Sequence, residues 1–189
     1  MAAQPRVLVP YSDYLALEAS TPEVRHECLR GEVWAMADGT PQHALYATNF
    51  LRIVGLALQG RPCAPYGSDL RVRIDATDRS TYPDGLVICG PREVSTVDAN
   101  AVVNPVLILE VTSDGTEADD RGEKFAHYRH LTSLQEYVIV SHRQRRIEVY
   151  RREAQAWALR EYRAATEVEL ASLGLHVPVN GVYDDPNAP

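Results

Sequence analysis

The apolar residues of this chain fall mostly in short runs closed by Pro, Gly or Asn, and less often in long helical stripes. Two such runs stand out, Tyr82-Pro83-Asp84-Gly85-Leu86-Val87-Ile88-Cys89 and Pro105-Val106-Leu107-Ile108-Leu109-Glu110-Val111-Thr112-Ser113. Their β-branched and leucine content, over so few residues, predicts buried strands rather than helices. Strict alternation in Arg146-Ile147-Glu148-Val149-Tyr150-Arg151 predicts a half-exposed strand. Further strands are expected at 62–66, 69–74, 136–141 and 156–162, and a hairpin at 26–29 and 32–37 turns at Arg30-Gly31. Helical patterns cover 11–18, 41–59 and 119–131. The longest places Leu45, Thr48, Leu51, Ile53 and Leu56 on one face, with Pro41 suited to its first turn. A long helix, strands, a second helix and closing strands predict an α/β sandwich, with an N-terminal helix and β-hairpin ahead of it.

Length and composition add little that conflicts with this. The 189 residues suit one domain over 1–189, and no repetitive or Ser-rich linker divides them. No basic region followed by an apolar stretch opens the chain and no run approaches membrane-spanning length, so no membrane association and a cytoplasmic location are expected. Cys28, Cys63 and Cys89 are odd in number and lack metal-site spacing, which suits reduced core cysteines. A net charge of −7 argues against an indiscriminate nucleic-acid binder. Local charge differs, because Arg143, Arg145, Arg146, Arg151 and Arg152 crowd one turn and strand, and Arg71 and Arg73 share a strand face. These could meet phosphates, or could simply form a solvated basic edge.

Chemistry enters through the charges inside the apolar runs. An ionised carboxylate is costly to bury unless it is paired or bound to metal, which makes Asp84 and Glu110 expensive as packing residues. Lys124 is the one lysine beside eighteen arginines (19 − 1 = 18). Its compact ammonium can approach a water or phosphate end-on, as a planar guanidinium cannot. On the 119–131 helix it borders the stripe of Tyr128 and Leu131, so it can reach over the strand ends. Two acids and a lysine suit metal-assisted phosphodiester hydrolysis: the acids hold a hard divalent cation and the lysine orients water or offsets charge. Spacing alone fits a simple ion-pair cluster equally well. His43 could meet a phosphate or a metal-bound water, although a lone histidine is more often structural. His127 and His130 have no adjacent acidic ligand, and Tyr128 reads as packing.

Taken together, several segments resemble the PD-(D/E)XK restriction-endonuclease-like superfamily, and within it the Uma-type bacterial restriction endonucleases. They are Tyr11-Ser12-Asp13-Tyr14-Leu15, Glu27-Cys28-Leu29-Arg30-Gly31-Glu32, Pro41-Gln42-His43, Gly67-Ser68-Asp69-Leu70-Arg71-Val72, Tyr82-Pro83-Asp84, Asn104 to Val111, and Asp120-Arg121-Gly122-Glu123-Lys124-Phe125. The order Asp84, Glu110, Lys124 carries the signal. The resemblance implies a central mixed β-sheet flanked by helices. It also implies a Mg2+ or Mn2+ site made by Asp84 and Glu110 with Glu27 as a further acid, Lys124 as the catalytic cation, and nucleic acid, in particular DNA, as substrate, with a homodimer as one form. A nuclease-fold module without turnover, binding nucleic acid or protein, is the alternative. The chain departs from the superfamily pattern at Thr112, where the motif lysine would stand, and from the Uma-type pattern at Gly85 and Asp114-Gly115.

Overall fold

The computed structural model describes residues 8–36, 39–154 and 156–188. Its centre is a six-stranded mixed sheet in the order β11-β10-β9-β8-β6-β3. These strands are β3 (Cys63–Gly67), β6 (Gly85–Cys89), β8 (Leu107–Val111), β9 (Glu136–Val140), β10 (Arg146–Arg152) and β11 (Trp157–Arg163). Only the β8–β9 pair within it is parallel, and the chain crosses between those two strands through the Lys124 helix. A second sheet, β2-β1-β5-β4-β7, comprises β1 (His26–Leu29), β2 (Glu32–Ala35), β4 (Arg71–Ile74), β5 (Arg79–Thr81) and β7 (Ala101–Val102). The ribbon β12 (Glu167–Leu170) and β13 (Leu175–Pro178) and a short helix, Val179–Val182, complete the C-terminal part.

Alternation along β8 divides the core in two. Leu107, Leu109 and Val111 face α2 (Pro41–Ala57), where Phe50 and Val54 are fully buried together with Val168, Val177 and Val179. Ile108 faces the other way and packs with Leu86, Ile88, Tyr137 and Ile139 against Val72 and Ile74 of the second sheet. Phe125, Tyr128 and Leu131 seal that side. The molecule is thus layered as helix, mixed sheet, then second sheet and Lys124 helix, which is the α/β arrangement with N-terminal helix α1 (Tyr11–Ser20) and hairpin that the pattern predicts.

The hairpin turn falls at Arg30 and Gly31, both at positive φ (51° and 82°), as a two-residue hairpin loop requires. The expected end of its second strand, Ala37, lies outside the described residues. Thr40 caps α2 by accepting from the His43 N–H, and Pro41 follows at the first position. The buried stripe of α2 differs from the expected one. It runs through Tyr46, Phe50 and Val54, while Leu51 and Ile53 only flank it and Leu56 is exposed. Two aromatics at i, i+4 bury more surface than the aliphatic set. Asn49 joins the buried face because its amide donates to the carbonyls of Val182 (3.2 Å) and Asp184 (2.8 Å).

The expectation of three reduced cysteines is corrected. Cys63 and Cys89 stand opposite each other in the β3–β6 ladder, with Cα atoms 4.0 Å apart, and form a disulfide; Cys28 is free and buried. Cysteine spacing along the chain carries no information about strand register, which is what brings this pair together. Among the described residues, no helix is long and apolar enough to cross a membrane.

Candidate active site

Register places the two strand acids side by side. Gly85 pairs with Leu109, so Asp84, the residue before β6, stands across from Glu110 and on the same face of the sheet. Asp84 is fixed beyond the last ladder rung by the Val111 N–H, which donates to its Oδ2 at 2.7 Å. The same oxygen lies 3.1 Å from His43 Nε2, carried there by the first turn of α2. Contact with Asp84 raises the His43 pKa, against the opposing effect of burial.

Glu110 is 3 % exposed. Its Oε1 accepts from Lys124 Nζ at 3.2 Å and from the Tyr128 hydroxyl at 2.9 Å. Burial pushes its carboxyl well above the ordinary range, and Lys124 offsets this only in part. Glu27, on β1, is held by Arg79 (3.1 Å) and Thr81 of the neighbouring strand β5, and lies 3.7 Å from Lys124 Nζ. Arg79 is itself among the most deeply buried side chains.

Lys124 comes from an irregular helix. Helical turns at Glu117–Asp119 and Phe125–Tyr128 flank a π-helical turn, Asp120–Lys124. Such single turns often mark functional positions. The Tyr137 hydroxyl donates to the Asp120 carbonyl (2.9 Å), and Arg121 bridges Glu117 and Glu148, which fixes the segment to the sheet. Lys124 Nζ lies 3.5 Å from Asp120 Oδ1. Burial opposes the charge on Lys124, but Glu110, Glu27, Tyr128 and Asp120 outweigh it and raise the pKa well above the usual lysine value, so the ammonium persists.

Glu27, His43, Asp84, Glu110, Asp120 and Lys124 line one cavity of about 880 Å³. It brings together all four residues singled out in the sequence, Glu27, Asp84, Glu110 and Lys124, and adds Asp120, His43, Trp34 and His142. Thr112, at the position of the missing motif lysine, contacts His142 Nδ1 at 2.8 Å, and His142 Nε2 contacts Asp114 at 2.8 Å. Asp114 is therefore occupied by His142 and Arg143. Asp120 was legible as an acid four residues before Lys124, but spacing gave it no separate role. Arg79 carried no sequence signal at all.

The donor set fits a hard divalent cation. Four carboxyl groups (Glu27, Asp84, Glu110, Asp120) meet two permanent cations, Lys124 and Arg79, and a fifth, Asp119, lies 3.8 Å from Arg79, so acids outnumber the fixed positive charges. The donor atoms on offer are oxygens, which Mg2+ and Mn2+ prefer. Neither buried Asp120 oxygen accepts a well-formed hydrogen bond. Among the described residues, no three His, Cys, Asp or Glu side chains already converge to hold a metal ion.

Of the clustered arginines, Arg143 and Arg145 are exposed, whereas four others are consumed internally. Arg71 pairs with Glu18 and Asp98, Arg73 with Asp75 and Asp78, Arg151 with Glu136, and Arg152 donates to the carbonyls of Leu134, Leu131 and Arg129.

Residues 11–180 match the model of the Uma2 family, described as "Putative restriction endonuclease". An "Uncharacterized protein slr1290" of Synechocystis sp. is 34% identical over 172 residues, covering 90% of this chain and 89% of that protein. A second Synechocystis relative, "Uncharacterized protein sll1609", is 30% identical over 151 residues, covering 79% of this chain and 85% of the relative. The fold matches a crystal structure titled as a putative nuclease belonging to DUF820 from Anabaena variabilis, with a TM-score of 0.69 at 17% identity, covering 85% of this chain and 90% of that one. With the family match running from α1 to the C-terminal helix, around the acid-and-lysine cavity, the chain belongs to the Uma2 family.

Proposed function

We propose that this protein is a divalent-metal-dependent nuclease acting on DNA, with Asp84 and Glu110 as ligands of Mg2+ or Mn2+ and Lys124 as the catalytic cation. The observation that carries the reading is the Lys124 ammonium, buried 3.2 Å from Glu110 in a cavity that Asp84 also lines and that is large enough for a nucleotide. A cation held there would supply Lewis acidity and a water of lowered pKa. Lys124 would orient that water and offset charge developing on the phosphoryl oxygens. Tyr128 fixes the Glu110 carboxylate. Glu27, expected as a further acid at the metal, enters this proposal through Lys124, because Arg79 and Thr81 engage its two oxygens. Arg79 and Thr81 thereby hold the lysine in place, and the buried floor limits competing water.

The test is cleavage of supercoiled, linear and single-stranded DNA with Mn2+ or Mg2+ against chelator, for the wild type, Lys124→Ala and Asp84→Asn. Cleavage that needs metal and falls by about 10²–10³-fold or more in Lys124→Ala is expected. Metal-dependent cleavage left unchanged in that variant would remove Lys124 from the mechanism. One observation favours the second reading, a nuclease-fold binding module without turnover: Arg71, Arg73, Arg151 and Arg152 are spent on internal partners, which leaves Arg143 and Arg145 as the exposed members of the clusters. Binding of DNA with no cleavage under any of these conditions would select it.

A further inference from the structure

Among the described residues, every buried carboxylate but one accepts hydrogen bonds, and the exception, Asp120, has only the Lys124 ammonium 3.5 Å away. Glu136 receives Arg151, the N–H groups of Ala171 and Ser172, and the Ser172 hydroxyl. Glu148 receives two bonds from Arg121, and Asp98 receives Tyr11, Arg71 and the Asn100 N–H. Glu110 and Glu27 are bonded as described above. Asp120 differs. Its side chain is 2 % exposed, it lines the cavity, and neither oxygen accepts a well-formed hydrogen bond. Burial raises its pKa, with Asp84 and Asp119 adding to the effect and Lys124 and Thr116 opposing it.

An ionised carboxylate buried with unmet lone pairs costs several kcal/mol unless something else binds it. The chain nevertheless invests in placing it. The π-helical turn sets Asp120 on the same side as Lys124, and Tyr137 pins the Asp120 carbonyl. A residue that merely neutralised Lys124 would duplicate Glu110, which is closer. Glu27 has no such free oxygen.

We propose that Asp120 is a direct ligand of a hard divalent cation, together with Asp84 and Glu110, and that Glu27 is not a ligand but a positioning residue for Lys124. This rests on the metal-dependent reading above and names its coordinating set. The three line one cavity without converging, and a bound cation would draw their oxygens together.

The experiment is titration calorimetry of Mn2+ alone into the wild type, Asp120→Asn, Glu27→Gln and Asp84→Asn, with the thermal melt of each metal-free protein recorded alongside. Mn2+ affinity is expected to fall by more than about tenfold in Asp120→Asn and Asp84→Asn and to stay within about threefold in Glu27→Gln. The metal-free melting temperature of Asp120→Asn should equal or exceed that of the wild type, since an unsatisfied charge has gone; a structural counter-ion would give the opposite. Wild-type binding that is lost in Asp84→Asn but kept in Asp120→Asn would overturn the role of Asp120 and leave the metal reading intact. No binding by the folded wild type would overturn both. Should Asp120→Asn not fold, Asp120→Ser is judged by the same affinity criterion.

Discussion

Lys124 holds a full charge at 8 % exposure because Glu110, Asp120 and Glu27 lie 3.2, 3.5 and 3.7 Å from its ammonium, and Glu110, which accepts its hydrogen bond, depends on it in return. Replacing it with methionine keeps the stem packed and removes the charge. Breaking a buried pair by deleting one partner costs about 3–5 kcal/mol, because the surviving charge is left uncompensated. The penalty of Lys124→Met should depend on pH. Burial already raises the Glu110 carboxyl, so its protonated form is favoured in the fold as pH falls, and removing Lys124 takes away what opposed that rise. A carboxyl with a raised folded pKa contributes stability below its unfolded value, and that contribution is lost as pH rises through the folded one. Urea melts should therefore show the full penalty at neutral to alkaline pH and a smaller one in acid. A penalty that does not change with pH would mean that Glu110 stays ionised without its partner. Tyr128→Phe removes one bond to the same oxygen and should cost about 1.5–3 kcal/mol, measured by the same melts.

At the scale of elements, Gly85 couples strand to helix. A methyl group there would lie 2.8 Å from Leu51 Cδ2 and 3.0 Å from its Cδ1, so the Leu51 side chain of α2 would have to shift to admit one. Because α2 also carries His43 to Asp84, this packing sets one wall of the site. Gly85→Ala should cost about 1 kcal/mol, the low end of the overpacking range, because the Leu51 tip can rotate away. Adding Leu51→Ala should recover part of that loss, a non-additivity that denaturant melts of the four-member cycle detect. The glycine was visible in the sequence as a departure from the family pattern, but its reason was not, because the contact spans two elements. The same divide separates what was legible elsewhere. The hairpin at Arg30-Gly31, the two site strands and the order Asp84, Glu110, Lys124 are local signals. The α2 stripe, the Cys63–Cys89 pairing and the burial of Arg71 and Arg73 depend on what each segment meets. Alternation put Arg71 and Arg73 on one face, but that face is covered by α1, where Arg73 stacks on Tyr11 and Arg71 lies over Tyr14. The π-helical turn escaped because a 3.6-residue period assumes the regular helix that it interrupts.

Across the whole molecule, tyrosines cement the seams between layers. Tyr14 joins α1 to β1 through the His26 carbonyl, Tyr128 and Tyr137 tie the Lys124 helix to the mixed sheet, and Tyr183 anchors the C-terminal segment on the Ser141 and Arg146 carbonyls. Burial raises the phenol pKa at each of these four and at Tyr11, Tyr82 and Tyr150, with Tyr11 reaching about 12. The unfolded phenol titrates near 10. Above that pH the unfolded chain releases protons that the folded one retains, so the stability these groups contribute is present below pH ~10 and drains away as pH rises toward the folded values. Several groups shifted in the same direction make the effect steep. The melting temperature should fall sharply above pH ~10. Ultraviolet absorbance from tyrosinate should rise in the same transition that abolishes the circular dichroism of the sheet. Tyrosinate forming gradually while the dichroism stays intact would show that water reaches these phenols in the native state, and that the seams between the layers are looser than their packing indicates.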